Sequence, residues 1–277
     1  MKRDTEFLER AAELLERVRR EKPLVHCITN AVTVNDCANI LLAAGARPTM
    51  AHHPLEAAEI TAGCDALVCN FGATEDYEAM FLAAGEAARF GHPIIADPVG
   101  AGGSTFRREK IRELFLQVPV TLIRGNASEM LAVFRNAKTV VGVDARKADG
   151  EDITGLAKQA CEFAKGNNCI CVISGERDII TDGREVFYVK NGSPRMSGIT
   201  GSGCMSTALL GAFLAKEVSV ASAAAVPFVM GIAGEIAAEK CRRERKGTMS
   251  FKTYMIDEVS LLTGEEIMKY GKGEVCR

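Results

Sequence analysis

The stretch GITGSGCMSTALLGAFLA, residues 198–215, sets Cys204 at the head of an Ala- and Leu-rich run that reads as a helix. Gly201 and Gly203, just ahead, allow unusual backbone turns. At a helix N-terminus the unpaired N–H groups and the positive end of the dipole favour an anion, and they favour a thiolate over a thiol. The segment can therefore hold a phosphate, a nucleophile or both. It is not a P-loop, because G-x-x-x-x-G-K-[ST] is missing, and no G-x-G-x-x-G follows an early strand. A nucleophilic cysteine needs a partner base. His26 lies in an apolar strand, His92 in a helix-to-strand turn, and His52 with His53 in a loop, and each has a purely structural reading.

Two other groupings carry charge. IIADPVGAGGS places Asp97 at a strand end, ahead of Pro98 and a flexible glycine loop. Asp97 reads either as a carboxylate facing magnesium or as the cap of a helix beginning near Ser104. IRGNASEM supplies Arg124, Asn126 and Glu129. Asn126 and Glu129 fit an N-cap and its reciprocal partner, a pairing that leaves Arg124 without a role. An Arg at a strand's carboxyl end, facing an Asp across the rim, suits a phosphate, with Glu129 as a further contact to the metal through water.

Such a rim requires particular elements beneath it. The first helix keeps Phe7, Ala11, Leu14 and Val18 on one face, and the chain then alternates short apolar runs with longer helical ones. PLVHCIT, ALVCNF, PIIADP, VTLIRG and CICVIS read as strands; VNDCANILLAAG, DYEAMFLAAGEAARFG, REKIRELFLQ and ITGLAKQACEFAKGNN read as helices. The alternation predicts an α/β fold, a three-layer arrangement with a mostly parallel central sheet and helices on both faces. ISGERDIITDGREVFYVKNG predicts an antiparallel hairpin around TDGR near one edge, and from residue 204 onward the pattern is nearly all helical. No linker or repeat interrupts residues 1–277, which read as a single domain. Ligands of such sheets bind beyond the carboxyl ends of the strands, so Thr29, Asn30, Asn70, Asp97, Arg124, Asn126 and Ser174 are expected on one rim.

Composition narrows the partners. Lys and Arg number 34 against 36 Asp and Glu, a net charge of -2, which argues against nucleic acid. Apolar runs such as LLGAFLA are shorter than a membrane span, and the charged N-terminus reads as an amphipathic helix, so a cytoplasmic protein without membrane contact is expected. The 10 cysteines include no C-x-x-C pair, which favours reduced thiols over a zinc or dithiol site. Cys169 and Cys171 lie two apart on a strand and should pack on one face.

PLVHCITNAVTVNDCANILLAAGARPTMAHHPLEA, DPVGAGGSTFR, IRGNASEM and TGSGC, in this order, resemble the hydroxyethylthiazole kinase family of the ribokinase-like superfamily. The resemblance runs from the first strand to the last long helix. It departs from the family pattern at Ser202, where Thr or Ala is frequent, and in the charged GVDARKADGED. It implies ATP-dependent transfer of the γ-phosphoryl group to the hydroxyl of 4-methyl-5-(2-hydroxyethyl)thiazole, in thiamine salvage. By motif position it also implies that Arg124, Ser174 and Gly203 contact ATP, that Asp97 and Glu129 sit near Mg2+, and that Gly201 and Gly203 open an anion hole. Cys204 then stands beside the acceptor hydroxyl, where ribokinase relatives carry an Asp base. Met50, Gly201, Asn30 and Val32 would line the acceptor pocket. A homotrimer with sites between subunits, and no lid, is implied as well. The alternatives are a related kinase acting on hydroxymethylpyrimidine or a sugar, which HCITNAVTVN argues against, and a hydratase that repairs nicotinamide nucleotides, which should carry a carboxylate at position 204. A nucleotide-binding regulator without turnover is the remaining class.

Overall fold

The computed structural model describes residues 2–135 and 153–275, so the charged GVDARKADGED stretch (142–152) and Cys276 lie outside the described residues. Along the chain run α1 (Lys2–Glu21), β1 (Leu24–Ile28), α2 (Val34–Ala43), β2 (Arg47–Thr49), α3 (Pro54–Ala62), β3 (Ala66–Asn70), α4 (Tyr77–Phe90) and β4 (Ile94–Asp97). They are followed by α5 (Thr105–Gln117), β5 (Leu122–Asn126), α6 (Ala127–Arg135), α7 (Ile153–Asn167), β6 (Ile170–Ser174), β7 (Asp178–Thr181) and β8 (Val186–Val189). A short 3-10 turn (Pro194–Gly198) then leads into α8 (Ser202–Leu214), α9 (Val220–Glu244), α10 (Thr248–Leu261), α11 (Gly264–Tyr270) and β9 (Gly273–Val275).

The strands form one sheet in the order β2-β1-β3-β4-β5-β6-β7-β8-β9. β2 through β6 pair in parallel, and β6–β7, β7–β8 and β8–β9 pair antiparallel. The fold is the expected three-layer α/β arrangement, with the hairpin β7–β8 near one edge. Two apolar cores cover its faces. Val25, Val68, Ile95, Leu122 and Val172 point into the core shared with α1, α2, α8 and α9, while Leu67, Ile94, Ile123 and Ile173 point into the core shared with α4, α5, α6 and α7. The period of two along each strand thus divides side chains between helix layers. Cys169 and Cys171 both fall in the second core, as expected of small apolar side chains on one face.

Three elements depart from the sequence reading. β2 and β9 are three-residue edge strands containing Pro48 and Gly273, too short for any alternation to register. The edge is therefore β9, and the chain beyond residue 204 is not helical throughout. α3 starts at Pro54 within what reads as a loop; the His53 ring accepts the Leu55 N–H at 3.2 Å and caps it. One helix also exceeds the expected apolar length. α9 has 25 residues and is long and apolar enough to cross a membrane by composition, but 83% of that window is buried in the core of this fold. A helix apolar on all sides is what a layer packed from every direction requires.

Candidate active site

The pleat that sorts the core also assembles the rim. Ile95 faces α8, so Asp97, two residues on, faces it too. The same step carries Asn70 from Val68, Arg124 from Leu122 and Ser174 from Val172. The strand ladders keep the ends level: Asn70 pairs with Asp97 and Asn126 with Ser174. Above this rim stands the start of α8. Gly201 is its N-cap at φ 92°, a left-handed conformation natural to glycine. The Met205 N–H bonds the Gly201 carbonyl at 2.8 Å, so the N–H groups of Ser202, Gly203 and Cys204 precede the first helical bond and face the rim as donors.

Asn70 is the hub. Its Nδ2 donates to Asp97 Oδ2 at 3.1 Å and to Cys204 Sγ at 3.2 Å. Its Oδ1 accepts from Gly72 N–H at 2.9 Å and from Asn30 Nδ2 at 3.2 Å. With both amide protons and both acceptor directions engaged, the side chain has one orientation. Asn30 Nδ2 also reaches Cys204 Sγ at 3.6 Å. Thr207, one turn along α8 from Cys204, donates to Asp97 Oδ2 at 2.8 Å. Sequence reading placed Asn70 on the rim without a role and missed Thr207, although its spacing from Cys204 sets both on one helix face.

Burial sets the protonation of this group. It pushes Asp97, 1% exposed, up to about 7, with Arg124 opposing and Glu129 adding to the rise. Burial, then the Asp97 carboxylate, pushes the Cys204 thiol up to about 11 against the pull of Asn70 and Arg124. The expectation of a thiolate is thereby corrected, since desolvation next to a carboxylate outweighs the helix terminus. No histidine bonds Cys204 among the described residues: His26 contacts Thr61 and Ala51, His53 caps α3, and His92 stacks on Phe90. A cysteine–histidine pair is absent from this set.

The capping readings separate cleanly. Ser104 caps α5 through its own hydroxyl, which accepts the Arg107 N–H at 3.3 Å, so Asp97 is not that cap. Asn126 and Glu129 do form the reciprocal pair, Glu129 N–H to Asn126 Oδ1 at 2.9 Å and Asn126 N–H to Glu129 Oε2 at 3.0 Å. Glu129 Oε1 additionally takes the Gly100 N–H at 3.0 Å and ties the loop after Asp97 to α6. Arg124 remains outside any cap. Its Nε is buried with no hydrogen-bond partner, and a Cβ built on Gly203 would lie 2.6 Å from its Nη1. The guanidinium therefore lies directly under the start of α8. Asp178, whose Oδ1 accepts the Gly175 N–H at 2.9 Å, is raised to about 6 by burial, with Gly175 and the Arg124 charge opposing.

The structure thus brings together Cys204, Asp97, Arg124, Glu129, Asn30 and the glycines, with Ser174 at the end of β6 beside Asn126. Met50, half-buried after β2, packs on the core that carries α8. Val32 is 75% exposed, so a single chain does not enclose it.

A family model described as "HK: Hydroxyethylthiazole kinase family" matches residues 15–265. The chain is 41% identical over 271 residues to the hydroxyethylthiazole kinase of Clostridium botulinum (strain Eklund 17B / Type B), spanning 95% of each sequence. Among solved structures it is similar to the hydroxyethylthiazole kinase protein from Pyrococcus horikoshii OT3, with a TM-score of 0.86 and 33% identity over 96% of this chain and 99% of that one. It shares its fold alone with a ribokinase-like superfamily protein from Enterococcus faecalis V583, at 12% identity and a TM-score of 0.59 over 90% and 95% of the two chains.

Proposed function

The chain belongs to the hydroxyethylthiazole kinase family, and from that premise we propose that it transfers the γ-phosphoryl group of ATP to the hydroxyl of 4-methyl-5-(2-hydroxyethyl)thiazole. The observation that carries the reading is the Asn70 amide joining Asp97 to Cys204 beneath the open N-terminus of α8. That juxtaposition supplies donors for a phosphoryl group, a carboxylate and a polarisable acceptor for a hydroxyl proton.

Phosphoryl transfer depends chiefly on positioning and charge neutralisation. The free N–H groups of Ser202, Gly203 and Cys204 receive the transferred group, and Arg124, with its unpartnered Nε, meets the phosphates of ATP beside Ser174. The acceptor hydroxyl lies against Cys204 Sγ, which Asn30 and Asn70 hold in place with N–H donors. Those donors hold Sγ as a fixed acceptor for the hydroxyl's hydrogen bond, which aims the alcohol oxygen at phosphorus. The thiol stays protonated, and the hydroxyl proton passes to a phosphoryl oxygen as the P–O bond forms and ADP leaves. No strong base is needed, because the transfer rests on positioning and charge neutralisation.

Mg2+ fits this rim. Burial raises Asp97 and the nearby Glu129 charge adds to the rise, so the two carboxylates are near enough to share a cation, and each Glu129 oxygen accepts one backbone N–H, leaving a lone pair for a metal-bound water. Bound there, the ion would neutralise phosphate charge. Gly201, Asn30, Met50 and Val32 line the acceptor side. The exposure of Val32 supports a homotrimer in which a neighbouring subunit closes that pocket. One continuous sheet from β2 to β9 supports reading residues 1–277 as one kinase domain, and the reaction suits the cytoplasm, where ATP is supplied.

The test is ADP release by the purified protein with magnesium, ATP and a panel of alcohols. Release should depend on the hydroxyethylthiazole and exceed that with hydroxymethylpyrimidine by a wide margin. Equal rates with both, or ATP binding without consumption, would sink the reading.

A further inference from the structure

His26 is wholly buried at 0% exposure and takes no part in the chemistry above. It lies on β1, opposite Thr49 of β2, and its ring points to the α3 side of the sheet. Nδ1 is 2.7 Å from Thr61 Oγ1 on α3, and Nε2 is 2.7 Å from the carbonyl oxygen of Ala51. The Ala51 oxygen can only accept, so Nε2 carries the proton. In the neutral ring Nδ1 is then an acceptor. The Thr61 hydroxyl has one proton for two neighbours, because it also lies 2.8 Å from the Ala57 carbonyl. The bond to Ala51 has no such competitor.

That bond sits where the chain is otherwise weakly held. β2 is a three-residue edge strand, and past Thr49 the chain runs through Met50, Ala51 and His52 before α3 begins. The Met50 carbonyl is taken by exposed His52 at 3.3 Å, whereas the Ala51 carbonyl is taken by the buried ring. We propose that His26 is a positioning residue for the acceptor: its Nε2–H fixes Ala51, and through it sets Met50 against the acceptor pocket. The inference rests on the reading of Met50 as an acceptor-pocket wall.

The experiment compares KM for the thiazole and for ATP in four single variants. Met50→Ala checks the wall itself. His26→Gln places an N–H near the Nε2 position and keeps the Ala51 bond; His26→Asn reaches only as far as Nδ1 and loses it. Thr61→Val removes the other partner. Losing one buried hydrogen bond to the segment should raise the thiazole KM of His26→Asn by about five-fold, with ATP KM unchanged. His26→Gln and Thr61→Val should stay within about two-fold of wild type, the low end of the same range. A merely structural histidine would show His26→Asn and His26→Gln equally impaired, or both KM values rising together, and either result overturns the proposal. Should His26→Asn fail to fold, a thiazole KM for His26→Gln well above that of Thr61→Val overturns it, and matching values support it. A thiazole KM indifferent to Met50→Ala overturns the pocket reading and the proposal with it. A KM that responds to Met50→Ala but not to His26→Asn overturns only the role of His26.

Discussion

Cys204 Sγ, 3.2 Å from an asparagine amide and raised to about 11, is a thiol held by amide donors rather than a thiolate poised to attack. This fixes how its variants should behave. Cys204→Ser keeps an acceptor for Asn30 and Asn70 and should lose about ten-fold or less in kcat, because the helix N-terminus and Arg124 remain. Cys204→Asp supplies an ionised proton acceptor in place of a neutral thiol, among the same donors, and should keep or exceed wild-type kcat. Steady-state rates of both variants, with mass spectrometry of the wild type during turnover, decide it: two dead variants and an adduct on Cys204 would establish a covalent nucleophile instead. At this scale the sequence was informative wherever a residue type had no local explanation. Arg124 stood outside the Asn126–Glu129 cap, and it is the residue whose Nε the structure leaves unpartnered. Asn70 and Thr207 were opaque because an amide and a hydroxyl acquire roles only from what the fold sets beside them, here Asp97 on one side and Cys204 on the other.

The helix α8 carries two glycines that look alike in sequence and act differently. A Cβ on Gly211 would meet Val25 Cγ1 at 2.7 Å and Val68 Cγ2 at 2.9 Å, so this glycine sets how closely α8 lies on β1 and β3. A Cβ on Gly203 would meet only the far end of Arg124, at 2.6 Å from Nη1. Gly211→Ala should therefore lower stability by about 1–3 kcal/mol through overpacking. Gly203→Ala should leave stability unchanged or raise it by roughly 0.5–1 kcal/mol, since alanine favours the helix. The displaced guanidinium should raise the ATP KM of Gly203→Ala, leaving the thiazole KM near wild type. Chemical denaturation with both KM values checks the pair, and an ATP KM unmoved in Gly203→Ala would separate Arg124 from the nucleotide. Elements followed the same logic of legibility. The parallel strands announced themselves through apolar runs that must face two helix layers, whereas β2 and β9 hold only three residues each and exist because a neighbour offers a ladder to join.

At the scale of the whole molecule, the same sheet that levels the strand ends leaves one side of the site uncovered. Asn30 reaches Cys204, but Val32, in the same turn, is 75% exposed, and Leu55 at the start of α3 is 89% exposed. Both lie on the segments that lead into and out of the acceptor side, Val32 between β1 and α2 and Leu55 beyond Met50. A small uncharged thiazole needs an enclosed apolar pocket, and a surface open to water cannot supply one. A neighbouring subunit seated on Val32 would bury it and close the pocket, whereas the proposed nucleotide contacts, Arg124, Ser174 and the start of α8, all come from one chain. Dilution should therefore act unequally on the two substrates. If the proposed trimer forms, then as it dissociates on sizing thiazole-dependent turnover per chain should fall and the thiazole KM should rise, while binding of ATP survives in the monomer. Val32→Glu should place a charge in the contact and bring the loss to higher protein concentration. Sizing chromatography with rates measured across the same dilution series checks the assembly, and a monomer with wild-type kcat and thiazole KM would show that each chain closes its own site.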